Sequence, residues 1–448
     1  MQQSGYKNYL LTLLLLILAF NFMDRLVLGV VLQDIKVDLA LNDTQLGFFT
    51  GIAFAIFYAV MGVPIARWAD RGNRVTIISF TAALWSVAVA MCGAASSFIQ
   101  LMLIRIGVAV GEAGCQPPAL SLISDYFSRA ERPRAISLYN LGWPVALVTG
   151  YFAGGWLNEW YGWRTTFVIV GLPGLALALL AVLTLREPRR DKLAAAAINP
   201  ESRRSKNTQP SLREVFVTMR GNAAFRHVLL CLSLSHFFTY GIMQWQPAFF
   251  VRSHGLGTGE LGTWLAIVYG GGGLLGTFLG GELAWRYAAN NERLQMVAIA
   301  LLYALFGVLT AVVYLSPDKY LAFAALGISA IGGAATNGPI FAATQTLMPP
   351  RMRAVSIAVV LFFCNLIGMG LGPLAAGALS DAFQPIFGAD SLRYALVVFC
   401  PGYFWCAWHL WMASKTVADD VAAVQVEDVS HSAPAIDMPM SKGMRTVP

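Results

Sequence analysis

The sequence predicts an all-α membrane protein of twelve transmembrane helices, arranged as two pseudo-symmetric six-helix bundles. Of its 448 residues, 57% are apolar and only 12% are charged, and the mean hydropathy is +0.61. Soluble domains carry about 25% charged residues, so this chain has too few charges to cover a solvated surface of its size. Twelve apolar stretches and an internal duplication complete the basis of this prediction.

The apolar stretches have the length that crosses a bilayer as a helix, about 20 residues. The first lacks a small-residue cleavage motif before Asn21, so we expect it to stay in the membrane rather than to be removed as a signal peptide. We number the stretches spans 1 to 12 and place them near residues 9–33, 45–68, 75–96, 99–124, 134–157, 163–185, 226–251, 259–285, 294–315, 319–347, 352–381 and 390–412.

Basic residues predict the orientation, because loops rich in lysine and arginine stay in the cytoplasm. An even number of spans puts both termini on one side. If that side is cytoplasmic, it takes most of the 31 basic residues, and two more, Arg25 and Arg105, lie inside spans. The other side then holds only Lys36, Arg164, Arg252, Lys319 and Arg393. We therefore expect a multi-pass protein of the plasma (inner) membrane with both termini in the cytoplasm.

The chain divides into four parts. Residues 1–185 are expected to form the first bundle and residues 226–412 the second. Between them, residues 186–225 form a polar central loop, in which Ser211 and Glu214 have the spacing of a helix N-terminal capping box; a short amphipathic helix is expected there. Residues 413–448 show little apolar periodicity and mixed charge, so we expect a disordered cytoplasmic tail.

The two halves repeat one another. Residues 132–137 (RPRAIS) recur as 351–356 (RMRAVS), residues 150–157 (GYFAGGWL) as 372–379 (GPLAAGAL) at an offset of 222, and residues 66–71 (ARWADR) as 281–286 (GELAWR) at an offset of 215. Three matches in the same order indicate a duplicated six-helix unit. Such repeats around a site at the membrane midplane are a transporter architecture.

Four ionisable residues inside spans 1 and 4 are the candidate functional core. Asp24 and Arg25 are neighbours in span 1, about 100° apart on the helix, so each needs its own partner. Arg105 and Glu112 lie two turns apart in span 4. Rise per residue places Arg105 as deep as Asp24, which predicts an Asp24–Arg105 pair and leaves Glu112 without a permanent cation unless Arg25 reaches it.

Charges at membrane depth are costly and default to function. We expect Asp24 and Glu112 to be the proton-coupling carboxylates, because burial disfavours the charged form of a carboxyl. Arg25 and Arg105 are expected to switch between these acids and an anionic substrate headgroup. The alternative is a static network that ties span 1 to span 4.

The residues quoted so far resemble the major facilitator superfamily over essentially the whole chain. Residues 66–74 match its G-x-x-x-D-R-x-x-R signature, with alanine in place of the glycine. Asn21-x-x-Asp24-Arg25, residues 68–74 (WADRGNR) and residues 111–113 (GEA) are similar to the Spinster branch. The resemblance implies two six-helix bundles, alternating access around a central cavity lined by spans 1, 4, 7 and 10, and carriage of lysophospholipids or sphingoid phosphates, in several members coupled to protons.

The resemblance also assigns a role to the loop between spans 2 and 3. Asp70, Arg71 and Arg74 match the charged positions of the signature, and in family members this loop is thought to latch the two halves in the outward-open state. A gating role is therefore expected for these residues. The alternative is a simple topology anchor.

Polar side chains elsewhere are candidates for the cavity lining. His236, Tyr240 and Gln244 form a stripe on one face of span 7, although such side chains also join helices to one another. Asn337 occupies the position in span 10 that corresponds to the Glu112 region, and the second half has no acid there. Further candidates are Asn21 in span 1, Tyr139 in span 5 and Asn365 in span 11. For each of them the alternative is a purely structural role.

We conclude from the sequence that the chain is a secondary active transporter and not an enzyme. The leading substrate is an amphipathic anion, expected to be a lipid; the rival is a proton-driven multidrug or organic-anion exporter, and a membrane enzyme or sensor is a third class. No cofactor or metal site is predicted, and protons are the expected coupling ion. Membrane lipids are expected partners, nucleic acid is not, and a monomer is expected.

Overall fold

The computed structural model describes residues 2–188, 211–289 and 291–432, without the side chains of residues 2–4, 70 and 426–432. These residues are almost entirely helical, and they contain ten continuous helical segments that are long and apolar enough to cross a membrane. Two of the ten, Arg132–Thr184 and Arg353–Gln425, are 53 and 73 residues long. One crossing requires about 20 residues, and each of these segments holds two spans. The twelve-helix architecture predicted from the sequence is therefore present.

Most helices lie close to their predicted bounds, but the last one extends well beyond residue 412. In order, the spans are Gln2–Asp38; Asp43–Thr50 with Ile52–Arg71; Arg74–Cys92; Phe98–Glu112 with Gln116–Tyr126; Arg132–Asn140 with 142–161; 163–184; Ala223–His254; Thr258–Leu265, Ala266–Gly271 and Gly272–Ala288; Glu292–Leu315; Lys319–Thr346; Arg353–Phe363, Cys364–Leu371 and Gly372–Phe387; and Ser391–Phe399 with Pro401–Ser432. The even count puts both chain ends on one side, the termini face. The other side is called the opposite face.

Three glycines with positive φ lie at turns on the opposite face, and one of them, Gly255, ends span 7 with a φ of 65°. The other two join consecutive spans. Gly162 has a φ of 75° between spans 5 and 6, and Gly388 has a φ of 56° between spans 11 and 12. Both values lie in the left-handed region that glycine enters at no steric cost. Spans 8 and 11 each contain a π-helical segment near mid-membrane, which re-aims the side chains that follow it.

The amphipathic helix of the central loop is present as Leu212–Gly221. Ser211 caps it by accepting a hydrogen bond from the Glu214 backbone N–H at 3.2 Å, and Val215 and Met219 face the protein. The Glu214 carboxylate does not complete the capping box, because it pairs with Arg351 at 2.9 Å. The part of the central loop at residues 189–210 lies outside the described residues.

The prediction of a disordered tail is wrong for residues 413–432, which continue the last helix. Ala413, Val417, Val421 and Val424 are buried along one face of this extension, and that spacing of three to four residues is the signature of an amphipathic helix. Asp420 also accepts a hydrogen bond at 2.7 Å from the backbone N–H of Ala224, at the start of span 7. Residues 433–448 lie outside the described part of the chain.

Candidate functional site

The first ion pair of the candidate site joins Asp24 to Arg105. Their side-chain atoms are 2.6 Å apart, and the two side chains are only 1% and 2% exposed. The pair links span 1 to span 4 at the depth that the sequence predicted. The pair is therefore almost fully covered, although Arg105 also lines a small cavity between the bundles.

The second ion pair joins Arg25 to Glu112. Both the Nε and an Nη of Arg25 donate to one Glu112 oxygen. The Glu112 side chain is fully buried, whereas the Arg25 side chain is 18% exposed. The sequence analysis gave Glu112 a cation only if Arg25 reaches it, and Arg25 does reach it. Arg25 is also the member of the cluster that extends into accessible space.

Aromatic rings flank the Arg25 guanidinium on several sides. Its central carbon lies 5.1 Å from the Phe22 ring, 4.6 Å from the Phe54 ring and 5.0 Å from the Tyr58 ring. Phe54 also lies 5.1 Å from the guanidinium of Arg105. Each such contact contributes about 0.5–2 kcal/mol when desolvated, so the rings help to keep two cations inside the membrane.

The two acids of the cluster also approach each other. The Asp24 and Glu112 carboxyl groups are close enough to interact electrostatically. One oxygen of each, Oδ1 of Asp24 and Oε1 of Glu112, is buried and accepts no hydrogen bond from any described residue. Two facing carboxylates repel one another, and a proton on either acid turns that repulsion into a hydrogen bond.

Local structure explains why Glu112 sits there. The first helical segment of span 4 ends at Glu112, before a turn through Ala113 to Cys115. Gly111 lies against span 3, where an added Cβ would come within 2.7 Å of Trp85. Close packing of spans 3 and 4 therefore fixes the backbone beside Glu112 and excludes water from it.

A small cavity of about 50 Å³ lies at the cluster, between the bundles. Arg25 and Arg105 line it from the first bundle, and Tyr240, Gln244 and Met369 line it from the second. An Nη of Arg25 also lies 3.5 Å from the Met369 sulfur. Arg25 therefore touches both halves of the molecule.

A second cavity of about 840 Å³ adjoins the first, sharing Trp143, Tyr240 and Met243. It extends from Ser137 in the half nearer the termini face to Tyr314 in the half nearer the opposite face. Among the described residues that line it there is no Asp, Glu, Lys or Arg; the polar lining consists of hydroxyl, amide and imidazole groups. The molecule thus pairs a charged cluster in the first bundle with a large uncharged cavity that is lined mostly by the second bundle.

The family model described as Major Facilitator Superfamily matches residues 14–373, most of the chain. The chain belongs to the major facilitator superfamily. It is therefore a transporter and not an enzyme, and its substrate is a small molecule.

Relatives within the superfamily narrow the resemblance. The chain is 32% identical to an MFS-type efflux pump of Mycolicibacterium smegmatis, over 86% of this chain and 87% of that protein. It is 25% identical to protein spinster homolog 1 of Xenopus tropicalis, over 84% and 75% of the two chains. The crystal structure of a bacterial homolog of the human lysosomal transporter Spinster, in an inward-facing and unoccupied conformation, matches with a TM-score of 0.79 and 32% identity, covering 93% of this chain and 98% of that one. The resemblance to the Spinster branch is thereby confirmed.

The predicted stripe on span 7 of this superfamily member faces the cavities. His236 and Tyr240 line the large cavity, and Tyr240 and Gln244 line the small one. The His236 Nδ1 lies 2.7 Å from the Leu232 carbonyl oxygen, a contact within its own helix. Asn337 of span 10 lines the large cavity as well. The roles of these residues in transport stay predictions.

Three predicted lining residues lie outside both cavities. Tyr139 is 1% exposed, because it points away from the cavity while its neighbour Asn140, about 100° further round the helix, lines it. Asn21 is 3% exposed, and its amide nitrogen is buried without a described hydrogen-bond partner. Asn365 lies in the π-helical segment of span 11, whose altered winding turns it from the direction that a regular helix gives.

The sequence also missed a polar group deep in the large cavity. The Gln246 side chain accepts from the Tyr269 hydroxyl and donates to the Tyr314 hydroxyl at 3.4 Å. Gln246 lies ten residues after His236 and so falls off the predicted stripe, while both tyrosines look like ordinary membrane aromatics. No single-span pattern reveals a contact among three different spans.

The structure places Arg74 of the predicted gating loop within the first bundle. Its side chain is fully buried, pairs with Asp125 at 2.7 Å and donates to the Ser121 carbonyl at 3.0 Å. It also pairs with Glu187, at the end of span 6. Arg71 is exposed, and the side chain of Asp70 lies outside the described residues. Arg74 thus braces spans 3, 4 and 6, and the latch role of the loop stays a prediction.

Proposed function

We propose that the chain is a proton-coupled secondary active transporter of an amphipathic anion, such as a lysophospholipid or a sphingoid phosphate, working by alternating access. The observation that carries the proposal is the fully buried Glu112 carboxylate, which pairs with Arg25 beside the Asp24–Arg105 pair. It offers a buried position for one proton next to a cation that reaches a cavity. Asp24 and Glu112 are the coupling carboxylates, and Arg25 and Arg105 are the switching cations.

The charge balance of the cluster links the proton to the anion. Two acids and two arginines are neutral overall when all four are ionised. One added proton leaves a net charge of +1, and buried charge is costly unless it is paired. An anionic headgroup at Arg25 neutralises that charge, so proton and anion favour each other's binding.

The two cavities suit the two ends of an amphipathic molecule. The headgroup is placed at Arg25 in the small cavity, because guanidinium groups bind phosphate and carboxylate through paired hydrogen bonds. The body of the substrate occupies the uncharged cavity of about 840 Å³, a size within the usual range for ligand pockets. Tyr240 and Met243 line both spaces and mark the passage between them.

A second candidate function is proton-driven export of drugs or organic anions, which the likeness to an MFS-type efflux pump favours. For a cationic drug the charge balance reverses, because a cation and a proton compete for the same acids. The sign of the coupling between proton and substrate therefore separates an anion carrier from a cation exporter.

The proposal also covers the membrane in which the protein lies, its orientation and its oligomeric state. The basic residues favour placement in the plasma (inner) membrane with both termini in the cytoplasm. The carrier works as a monomer, without a cofactor other than the coupling proton. The ion pairs Lys7–Glu131 and Arg351–Glu214 would then lie at the cytoplasmic surface.

The test is transport in proteoliposomes under imposed pH gradients of both signs, with a labelled lysophospholipid and with a cationic drug. The wild-type protein should carry the lysolipid in the direction of the proton gradient. Glu112→Gln, which removes the titrating group and keeps its shape, should bind substrate but lose the response to the gradient. Glu131→Gln is the matched control, because Glu131 is exposed and pairs with Lys7 at the termini face.

A gradient response in Glu112→Gln equal to that of the wild type would overturn the assignment of Glu112. Drug movement against the proton gradient, without lysolipid movement, would replace the leading substrate class with the exporter. Thermal-shift measurements with lysolipids and a drug panel give an independent ranking of the two classes.

A further inference from the structure

Two carboxylates on the opposite face each cap a helix of the other bundle. Asp381, near the end of span 11, accepts hydrogen bonds from the backbone N–H groups of Asp43 at 3.0 Å and Thr44 at 2.7 Å, at the start of span 2. The Thr44 hydroxyl donates to the same carboxylate at 2.6 Å. These N–H groups belong to the first turn of a helix, where no carbonyl within the helix can accept from them.

The second carboxylate belongs to the first bundle. Glu159, near the end of span 5, accepts a hydrogen bond from the backbone N–H of Gly259 at 2.6 Å, in the first turn of span 8. The residue before this helix is Gly257, which has no side chain and cannot cap it. Glu159 therefore supplies from the other bundle the cap that span 8 lacks.

The two contacts are equivalent under the internal duplication. Glu159 and Asp381 are 222 residues apart, which is the offset between spans 5 and 11. Thr44 and Gly259 are 215 residues apart, which is the offset between spans 2 and 8. Both the acid and the N–H that it accepts from are thus the same positions of the ancestral unit, used once in each direction across the interface.

Close backbone packing beneath each contact follows the same symmetry. Gly155 of span 5 lies against span 8, where an added Cβ would come within 3.0 Å of the Gly262 Cα. Its duplicate Gly377 of span 11 lies against the start of span 2, within 2.8 Å of the Asp43 carbonyl carbon by the same measure. Helices that approach this closely bring the carboxylates onto the helix ends.

We propose that Glu159 and Asp381 are paired gating residues, which hold the opposite face closed by capping helix N-termini across the two bundles. Each cap exists only while the bundles touch at this face. A carboxylate at a helix N-terminus is favourable because it meets unpaired N–H groups and the positive end of the helix dipole. Both carboxylates reach solvent, since Glu159 is exposed and Asp381 is half-buried, so the caps are weak enough to break in each transport cycle.

The test measures the opening of the opposite face without substrate, so it is independent of the transported molecule. Val37 in the first bundle and Ile386 in the second are 72% and 73% exposed. Nitroxide labels at these two positions report the distance across that face by double electron–electron resonance. The six native cysteines are buried, so the nitroxide reagent should react with the two introduced cysteines and not with these. The variants are Glu159→Gln, Asp381→Asn and the two combined.

Each single variant should increase the ratio of open to closed molecules by about twofold to fivefold, the usual effect of a charge at a helix end. The double variant should exceed either one. Glu260→Gln is the matched control: Glu260 lies in the first turn of the same helix of span 8, but it pairs with Lys319 within the second bundle at 2.7 Å. This control should leave the distance distribution unchanged.

Distributions like those of the wild type in both single variants would overturn the proposal, as would an equal shift in Glu260→Gln. If a neutral variant does not fold, Glu159→Asp supplies the second measurement. It keeps the negative charge near the helix end and should stay nearer to the wild type than Gly155→Ala, which forces spans 5 and 8 apart. The opposite order for these two variants also contradicts the proposal.

Discussion

The two ion pairs of the central cluster use neighbouring residues and the same two spans, yet their surroundings differ. Asp24–Arg105 has side chains only 1% and 2% exposed. In Arg25–Glu112 the acid is fully buried, but Arg25 is 18% exposed and touches Met369 of the second bundle. Both arginines line the small cavity. The first pair is almost fully covered, whereas Arg25 of the second pair reaches accessible space. The first pair therefore anchors span 1 to span 4 more firmly, and the second pair exchanges partners more readily.

Among substitutions at the two ion pairs and their contacts, Arg105→Met should give the largest loss of stability. It leaves Asp24 buried without its cation, and removal of one partner of a buried pair costs about 3–5 kcal/mol. Thermal unfolding of the detergent-purified protein should show a much lower melting temperature than the wild type. An unchanged melting temperature would show that the Asp24–Arg105 pair does not anchor span 1 to span 4.

Arg25→Met should have the opposite profile, with a large loss of anion binding and less destabilisation, because Glu112 can take up a proton when its cation is removed. Charged hydrogen bonds contribute about 1.5–3 kcal/mol, so affinity for a lysophospholipid should fall by about 10-fold to 100-fold. Binding measured by intrinsic tryptophan fluorescence checks the loss, and the Arg105 variant is the reference for stability. Equal effects of the two variants on both quantities would remove the distinction between an anchoring pair and an exchanging pair.

Phe54→Leu tests the ring that lies near both guanidiniums, at 4.6 Å from Arg25 and 5.1 Å from Arg105. Loss of the aromatic face should cost about 0.5–2 kcal/mol, divided between stability and anion affinity. Tyr58→Phe keeps a ring 5.0 Å from Arg25 and serves as the control in both assays. No change in either quantity would mean that the arginines do not depend on this ring.

Met369→Leu should have the smallest effect. The swap keeps the volume of the side chain, and such swaps cost less than about 1.5 kcal/mol, but it removes the sulfur that lies 3.5 Å from Arg25. Affinity should change by no more than a few fold, with the melting temperature preserved. A loss as large as that of Arg25→Met would show that contact with the second bundle, and not the charge of Arg25, dominates binding.

The sequence predicts the architecture well because its signals are local or periodic. Apolar length defines the spans, and depth along two helices places Asp24 beside Arg105. Rotation about a helix axis is harder to predict. Tyr139 and Asn140 are neighbouring polar residues of span 5, but only Asn140 lines the cavity. Asn365 lies in a π-helical segment that no local sequence pattern predicts.

Contacts between bundles lie beyond sequence patterns for a different reason. Glu159 and Asp381 look like solvated acids at the ends of spans, and their significance appears only when spans 5 and 8, and spans 2 and 11, are placed side by side. The helical extension after residue 412 carries only a short local signal. Val417, Val421 and Val424 repeat at helical spacing among charged residues and face the protein.

The most direct test of the central claim, that proton and anion bind together at Arg25–Glu112, is the number of protons taken up when substrate binds. Calorimetric titration with a lysophospholipid, in two buffers of different ionisation enthalpy, measures it near neutral pH. The account predicts uptake of about one proton per substrate in the wild type, because the protonated cluster is the form that needs the anion, and none in Glu112→Gln. A binding enthalpy that does not depend on the buffer in either protein would contradict this claim. Proton release on binding would also contradict it.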